Sequence, residues 1–293
     1  MSRLIHSNVP NQERLISIIN ETKGQNLSWD DLMTRLQDGR QVIGHVTDYK
    51  SLADSLAEAE SAGKEFGLHP LTNPELVHAV ATSPEFYAAI RPNWTTSTTG
   101  EVLGTIDGVA VIQDQHGVGV FATSKGIVEA IAQGYLTNGF LPAPLIREGE
   151  GVTIVGYEAL RNGDAHGLTG YVTQLENLKL VTTDMSVKEV ESIRKERPVA
   201  YVSDCWLPEE RARQDDLILS RNGSPQGVDL FCKVLYSPKS EGGEGYKTVG
   251  TWNGIGTKGL PETGAGRPVV WRSDNHGLDD YDIYDCGRFA SGK

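Results

Sequence analysis

The chain has 293 residues, enough for two ordinary domains or one large one, and its 38% hydrophobic and 23% charged residues are normal for folded, soluble material. Its 39 acidic residues outnumber 27 basic ones, for a net charge of -12, and no basic cluster is longer than Arg194-Lys195-Glu196-Arg197; without a positive face to release counterions, duplex nucleic acid is not an expected partner. Three widely spaced cysteines, Cys205, Cys232 and Cys286, form neither a disulfide framework nor a zinc ribbon, and the absence of a secretion-type leader and of any long apolar run points to a cytosolic chain with no membrane partner.

In chain order, residues 11 to 22 read as a first helix with Leu15, Ile18 and Ile19 on one side, closed by Gly24. Ser28 caps a second, whose apolar stripe is Trp29, Leu32, Met33 and Leu36, and Gly39 stops it. After a β-like run from Gln41 to Thr47, a third helix from Asp48 to Ala62 carries Leu52, Leu56 and Ala59 and ends at Gly63. Asn73-Pro74-Glu75 and Ser83-Pro84-Glu85 then mark two helix starts in quick succession. Each offers a side-chain acceptor at the N-cap, proline at the first helical position and a carboxylate in the first turn, where unsatisfied N–H groups and the macrodipole favour all three. Gly100 to Ile112 follows as two short apolar strands around the Asp107-Gly108 turn.

The 33 glycines exceed the ~7% typical of globular chains and are densest beyond residue 100, so turns and strands should dominate there. Thr123 to Gln133 reads as a short amphipathic helix, and Leu141-Pro142-Ala143-Pro144 imposes an extended stretch. Val152 to Tyr157 and Gly170 to Thr182 read as strands, a hairpin or sheet neighbours, separated by the Asn162-Gly163-Asp164 turn. Ser186 to Glu189 has capping-box spacing for a helix that Pro198 ends, which suggests a boundary; Val199 to Ser203, Leu217 to Ser220, Val228 to Tyr236 and Lys247 to Trp252 are the expected strands beyond it.

Ser83 to Arg91 and Gly104 to Asp114 resemble the last two elements of the major capsid proteins of tailed bacteriophages, a Pro-x-x-Tyr/Trp-x-x-Leu helix and a Gly-x-Leu/Ile-x-Gly-Val-x-Val hairpin, within a match spanning roughly residues 50 to 130. The resemblance implies a virion protein that assembles with itself into a shell, with other virion proteins as further partners, in the host cytoplasm during assembly and in the virion afterwards.

Chemistry-bearing motifs are scarce. The six glycines from Gly250 to Gly266 superficially imitate a phosphate-cradling loop, but the spacing to Lys258 is wrong and Pro261 precludes the helix that must follow. Asp274-Asn275-His276-Gly277-Leu278-Asp279-Asp280-Tyr281-Asp282 gathers four carboxylates and an imidazole without EF-hand spacing, and reads as a solvated acidic turn. None of the seven histidines forms a His-x-x-x-His pair, and no Gly-x-Ser-x-Gly elbow is present, although a triad assembled in space is compatible with the sequence. Cys205 reads as a small buried residue. Trp252, Trp271, Tyr281, Tyr284 and Phe289 crowd the end of the chain, as either a satellite core or interface anchors.

The sequence thus implies an α+β protein with a helical N-terminal arm (1–47), a capsid-like α/β core (48–184) and a β-rich C-terminal domain (185–293). It nominates no catalytic, cofactor-binding or metal-ligating residue and no cofactor. The expected role is a self-assembling capsid subunit whose glycine-rich stretch 237–266 acts in assembly; the alternative is a cytosolic enzyme or ligand-binding protein with a site between the two halves.

Overall fold

A computed structural model describes residues 2–10, 16, 23, 40–90, 94–106, 109–136, 139–147, 152–164, 171–174, 179–181, 192, 199–201, 205–207, 209–236, 249–252, 263–272, 277–280 and 287–293. The fold is α+β, as the sequence implies. Strands β1 (Arg3–Pro10), β2 (Arg40–Val46) and β3 (His69–Pro70) join the last strand, β15 (Ala290–Gly292), in an antiparallel sheet of order β1-β2-β15-β3. Both ends of the described chain therefore meet in one sheet. The two helices expected in residues 11–39 lie almost wholly outside the described residues.

Helix α1 (Leu52–Phe66) runs one turn further than its sequence suggests, past Gly63 to Gly67. The Ser51 hydroxyl accepts from Asp54 N–H at its start, and Gly67, at φ 65°, takes the left-handed cap that a glycine adopts without a Cβ penalty. Gly63 has a different reason to be glycine: its carbonyl accepts from both Gly67 N–H and Leu68 N–H, and a Cβ on Gly63 would sit 2.6 Å from Leu68 O.

The paired helix starts appear as α2 (Asn73–Thr82) and α3 (Pro84–Ile90). The cap of α2 is Thr72 rather than Asn73. Thr72 and Glu75 form the capping box, with the Thr72 N–H and hydroxyl both donating to Glu75 Oε2 at 2.9 and 2.7 Å. That frees the Asn73 amide to reach across the molecule and donate to Arg221 O at 2.7 Å. Ser83 Oγ caps α3 by accepting from Phe86 N–H at 3.2 Å.

The central hairpin is longer than its apolar residues indicate: β4 covers Thr95–Ile106 and β5 covers Val109–His116, in unbroken register from Thr99↔His116 to Ile106↔Val109. Val111 is buried, but Ile106 is only half-buried, and Val111 belongs to neither apolar cluster, so the core beside Phe86 and Ile90 is not built on the hairpin tip. Thr123 caps α4 (Ser124–Gln133) by accepting from Gly126 N–H, and β6 (Leu141–Pro142) is the extended proline stretch.

Further along, β7 (Val155–Gly156) leads into α5 (Tyr157–Asn162), for which Gly163 is the left-handed cap rather than a hairpin turn. The strand β8 (Tyr171–Gln174) lies parallel to β7, and β9 (Lys179–Val181) parallel to β10 (Val199–Tyr201). The Ser186 helix lies outside the described residues. Beyond β11 (Cys205–Leu207) and the single turn α6 (Glu209–Ala212), the expected strands at 217–220 and 228–236 are helices, α7 (Asp216–Asn222) and α8 (Pro225–Tyr236). Asp215 accepts from the N–H groups of Leu217 and Ile218, fixing the first turn of α7, and Val228, Phe231, Cys232 and Leu235 share one buried face of α8 at helical spacing. The strands β12 (Val249–Trp252), β13 (Ala265–Arg272) and β14 (Gly277–Asp280) complete a sheet of nine strands among the described residues, ordered β11-β12-β14-β13-β4-β5-β8-β7 with β6 also on β13.

Two apolar clusters flank β4. One joins Ile5, Val46, Phe86 and Ile90 to Val228, Phe231, Val269 and Trp271, and the Phe231 and Trp271 rings meet edge to face at 5.9 Å. The other joins Leu52 and Leu56 of α1 to Val102, Phe121, Ile127, Leu141 and Phe289. Segments from 48–184 and 185–293 thus share one sheet and both clusters, since β13 pairs with β4 over Ala265↔Leu103 to Trp271↔Thr95. Among the described residues no helix is long and apolar enough to cross a membrane.

The two α1 glycines make a testable contrast in urea denaturation. Gly63→Ala should destabilise by about 2 kcal/mol, because the clash with Leu68 O outweighs the ~1 kcal/mol that alanine gains within a helix. Gly67→Ala meets open space and should cost only about 1 kcal/mol, from its left-handed conformation.

Candidate functional site

The first half of β4 is polar, Thr95-Thr96-Ser97-Thr98-Thr99, and so is the end of β5, Gln113-Asp114-Gln115-His116, yet all nine side chains are buried. Each must therefore find its partners inside the protein. On one face, Gln113 Nε2 donates to Ile146 O (2.9 Å), Ile146 N–H donates back to Gln113 Oε1 (2.8 Å), and Gln115 Nε2 donates to Pro144 O (3.0 Å), which pins residues 144–146 to the sheet.

The opposite face carries charge. Arg267 on β13, Glu101 on β4 and Asp114 on β5 are directly opposite one another, so they share a face. Arg221, descending from α7, meets Glu101 with two parallel bonds, Nε to Oε2 at 2.8 Å and Nη2 to Oε1 at 3.1 Å, while both side chains are at most 1% exposed. Ser220 Oγ donates to Asp114 Oδ2, and the Arg267 guanidinium lies 4.1 Å above the centre of the Phe140 ring. Two carboxylates and two guanidinium groups thus form one compact, formally neutral cluster in the interior.

Beside it, Asn73 N–H donates to Thr99 Oγ1 at 2.9 Å, and Thr99 Oγ1 lies 2.9 Å from His116 Nδ1. His116 Nε2 faces Ser220 O at 3.2 Å. A carbonyl only accepts, so Nε2 carries the proton and Nδ1 accepts from the threonine hydroxyl, a neutral imidazole with both nitrogens satisfied. Burial favours that form and drives the His116 pKa down to about 4.

Serine, histidine and aspartate therefore do come together in space, at Ser220, His116 and Asp114, though nothing in the sequence links them. Their geometry is not that of a nucleophile and its base. The Ser220 hydroxyl gives its hydrogen bond to Asp114, His116 meets the carbonyl of Ser220 rather than its hydroxyl, and none of the three is exposed. The cluster binds α7 and α2 to the sheet and leaves no room for a substrate. Cys232, on α8, is also buried, and desolvation pushes its thiol up to about 12, well away from thiolate chemistry. Among the described residues, no three His, Cys, Asp or Glu side chains are placed to hold a metal ion.

What lies open is set by strand direction. The strands β4 and β8 end, and β5 and β13 begin, at one end of the sheet, as the registers Ile106↔Val109, Gln174↔Val111 and Ala265↔Leu103 require, whereas β11, β12 and β14 lie level with the start of β4 through Cys205↔Thr251, Thr251↔Leu278, Leu278↔Trp271 and Trp271↔Thr95. The connections after β4 and β8 and the approach to β13 therefore lie at one end. The opposite end, where Thr96 N–H donates to Arg288 O, meets the sheet holding β1, β2 and β15. Of the crowded C-terminal aromatics, Trp271 and Phe289 are core residues and not surface anchors; Trp252 ends β12 level with Thr96 at the start of β4, and Tyr281 and Tyr284 lie outside the described residues. Of the acidic stretch from Asp274, only Gly277–Asp280 is described, as β14, and the glycine-rich stretch 237–266 is described only where β12 and β13 begin to flank it.

No protein-family model and no curated protein matches the chain. It is similar to a solved structure reported as the accommodation of massive sequence variation in Nanoarchaeota by the C-type lectin fold, with a TM-score of 0.53 and 17% identity over 84% of this chain and 98% of that one. At that identity the likeness shows the fold alone, a C-type lectin fold.

Removing one partner of the buried ion pair should cost about 3–5 kcal/mol, whereas the double change Glu101→Met with Arg221→Met should cost less than the sum of the single ones, as chemical denaturation of the four proteins would show. The depressed His116 pKa means that the unfolded chain binds the proton more readily, so this group's stabilisation is complete above the ordinary histidine range near 6.5 and is lost as pH falls toward about 4. Asp216, whose carboxyl burial raises to about 6, acts with the opposite sign, stabilising most at low pH. The difference between wild type and His116→Gln isolates the histidine: wild-type stability should fall more steeply than the variant's between pH 6.5 and 4.

Proposed function

We propose that this protein is a non-catalytic recognition protein, in which a rigid polar-locked sheet presents the connections at its open end to a macromolecular partner. The observation that carries the reading is the convergence of the ends of β4 and β8 and the starts of β5 and β13 at one pole, with the terminal strands gathered at the other. Residues 253–262, Asn-Gly-Ile-Gly-Thr-Lys-Gly-Leu-Pro-Glu, precede β13, which begins at that pole, and glycine and asparagine are residue types that binding surfaces use for adaptable contact. The Nanoarchaeota structure is described as the accommodation of massive sequence variation by the C-type lectin fold, and tolerance of sequence change on a fixed fold is compatible with a recognition role here.

A self-assembling virion shell subunit is the competing reading, and solution behaviour separates the two. The recognition reading predicts a monomer or small closed oligomer by light scattering and saturable binding of labelled protein to one member of a panel of immobilised glycans and bacterial cell surfaces. Asn253→Ala with Lys258→Ala should weaken that binding at least tenfold and leave the melting temperature unchanged. Large, regular particles together with no surface binding would instead support the shell.

A further inference from the structure

Between α2, the start of α3 and the terminal sheet a groove of about 450 Å³ opens. Its size falls within the range of small-molecule sites. Its floor is apolar, formed by Ile43, Leu71, Ala79 and Phe86. Most of the polar side chains lining it are already committed. Glu75 accepts from Thr72 and faces His69 Nε2 at 3.0 Å, Thr82 Oγ1 donates to His78 O, and Ser83 Oγ donates to Glu85 and accepts from Phe86 N–H. Two lining side chains remain without a hydrogen bond or ion pair among the described residues, the His78 imidazole and the Lys293 ammonium, and both are exposed.

We propose that this groove binds a small amphipathic carboxylate, its hydrocarbon portion on the apolar floor and its anionic head on Lys293 and His78. Charge complementarity selects the head. The one carboxylate side chain in the lining is engaged in the helix cap, and the two uncommitted groups are an ammonium and an imidazole whose N–H can donate, so an anion completes the site where a neutral or cationic head would not. The floor selects the tail, since an apolar chain displaces water there without stranding a polar group.

Titration of the whole protein with decanoate, followed by calorimetry and backbone amide shifts, tests the assignment. One saturable site with submillimolar affinity is expected, with shifts concentrated at residues 71–86 and 292–293. Lys293→Glu with His78→Glu should weaken binding at least tenfold, Ala79→Trp should abolish it by filling the groove, and the melting temperature of each variant verifies that it is folded. Decanol should bind at least tenfold more weakly than decanoate. Equal affinity for decanol, or no saturable decanoate binding to wild type, would overturn the proposal.

Discussion

Glu101 lies in the middle of the longest strand and is 1% exposed, and everything around it follows from the need to neutralise that buried carboxylate. Withdrawing a carboxylate from water costs several kcal/mol, and only a partner with good geometry offsets it. Arg221 supplies that partner with a two-bonded fork, but it must come from 120 residues further along the chain. The helix carrying Arg221 is thereby fixed against β4. Ser220, its neighbour, is fixed against Asp114 on β5, and the preceding turn is set by Asp215 at the N-cap. One electrostatic requirement thus positions α7, and through it α8, whose apolar face closes the larger of the two cores.

The same requirement divides the molecule. Apolar clusters on both sides of β4 and a hydrogen-bonded polar layer within it leave the sheet with few ways to deform, because each sliding motion would strand further buried donors or acceptors. The terminal strands β1 and β15 seal one end by both pairing with β2. The remaining end is where β4 and β8 stop and β5 and β13 begin. A similar fold at 17% identity fits this arrangement, since a fold of this kind needs compatible burial patterns and not a common sequence.

Local chemistry made much of the architecture legible. The helix starts at residues 73 and 83, the amphipathic helix after Thr123 and the hairpin through residues 104–112 all follow from caps, prolines and apolar alternation. Even there, Thr72 displaced Asn73 as the cap because Asn73 is held by a residue distant in sequence. The helices at 216–236 were misread as strands because Leu217-Ile218-Leu219 and Val228 to Tyr236 are short apolar runs that satisfy both periods. The spacing Val228, Phe231, Cys232, Leu235 and the Asp215 cap were the deciding signals. The polar layer was not readable at all. Thr95 to Thr99 resembles a solvated strand, and only tertiary contact shows that its hydroxyls serve His116, Asn73 and the carbonyl of Val269.

The central claim is that the framework is set by the buried polar layer and is independent of the segments at the open end. Replacing residues 253–262 with a set of unrelated sequences of equal length, and recording thermal unfolding for each, tests this most directly. The account predicts melting temperatures within a few degrees of wild type across the set, with one cooperative transition in every case. A broad scatter of melting temperatures, or loss of cooperativity in most members, would show that those residues belong to the core and contradict the division between framework and recognition end.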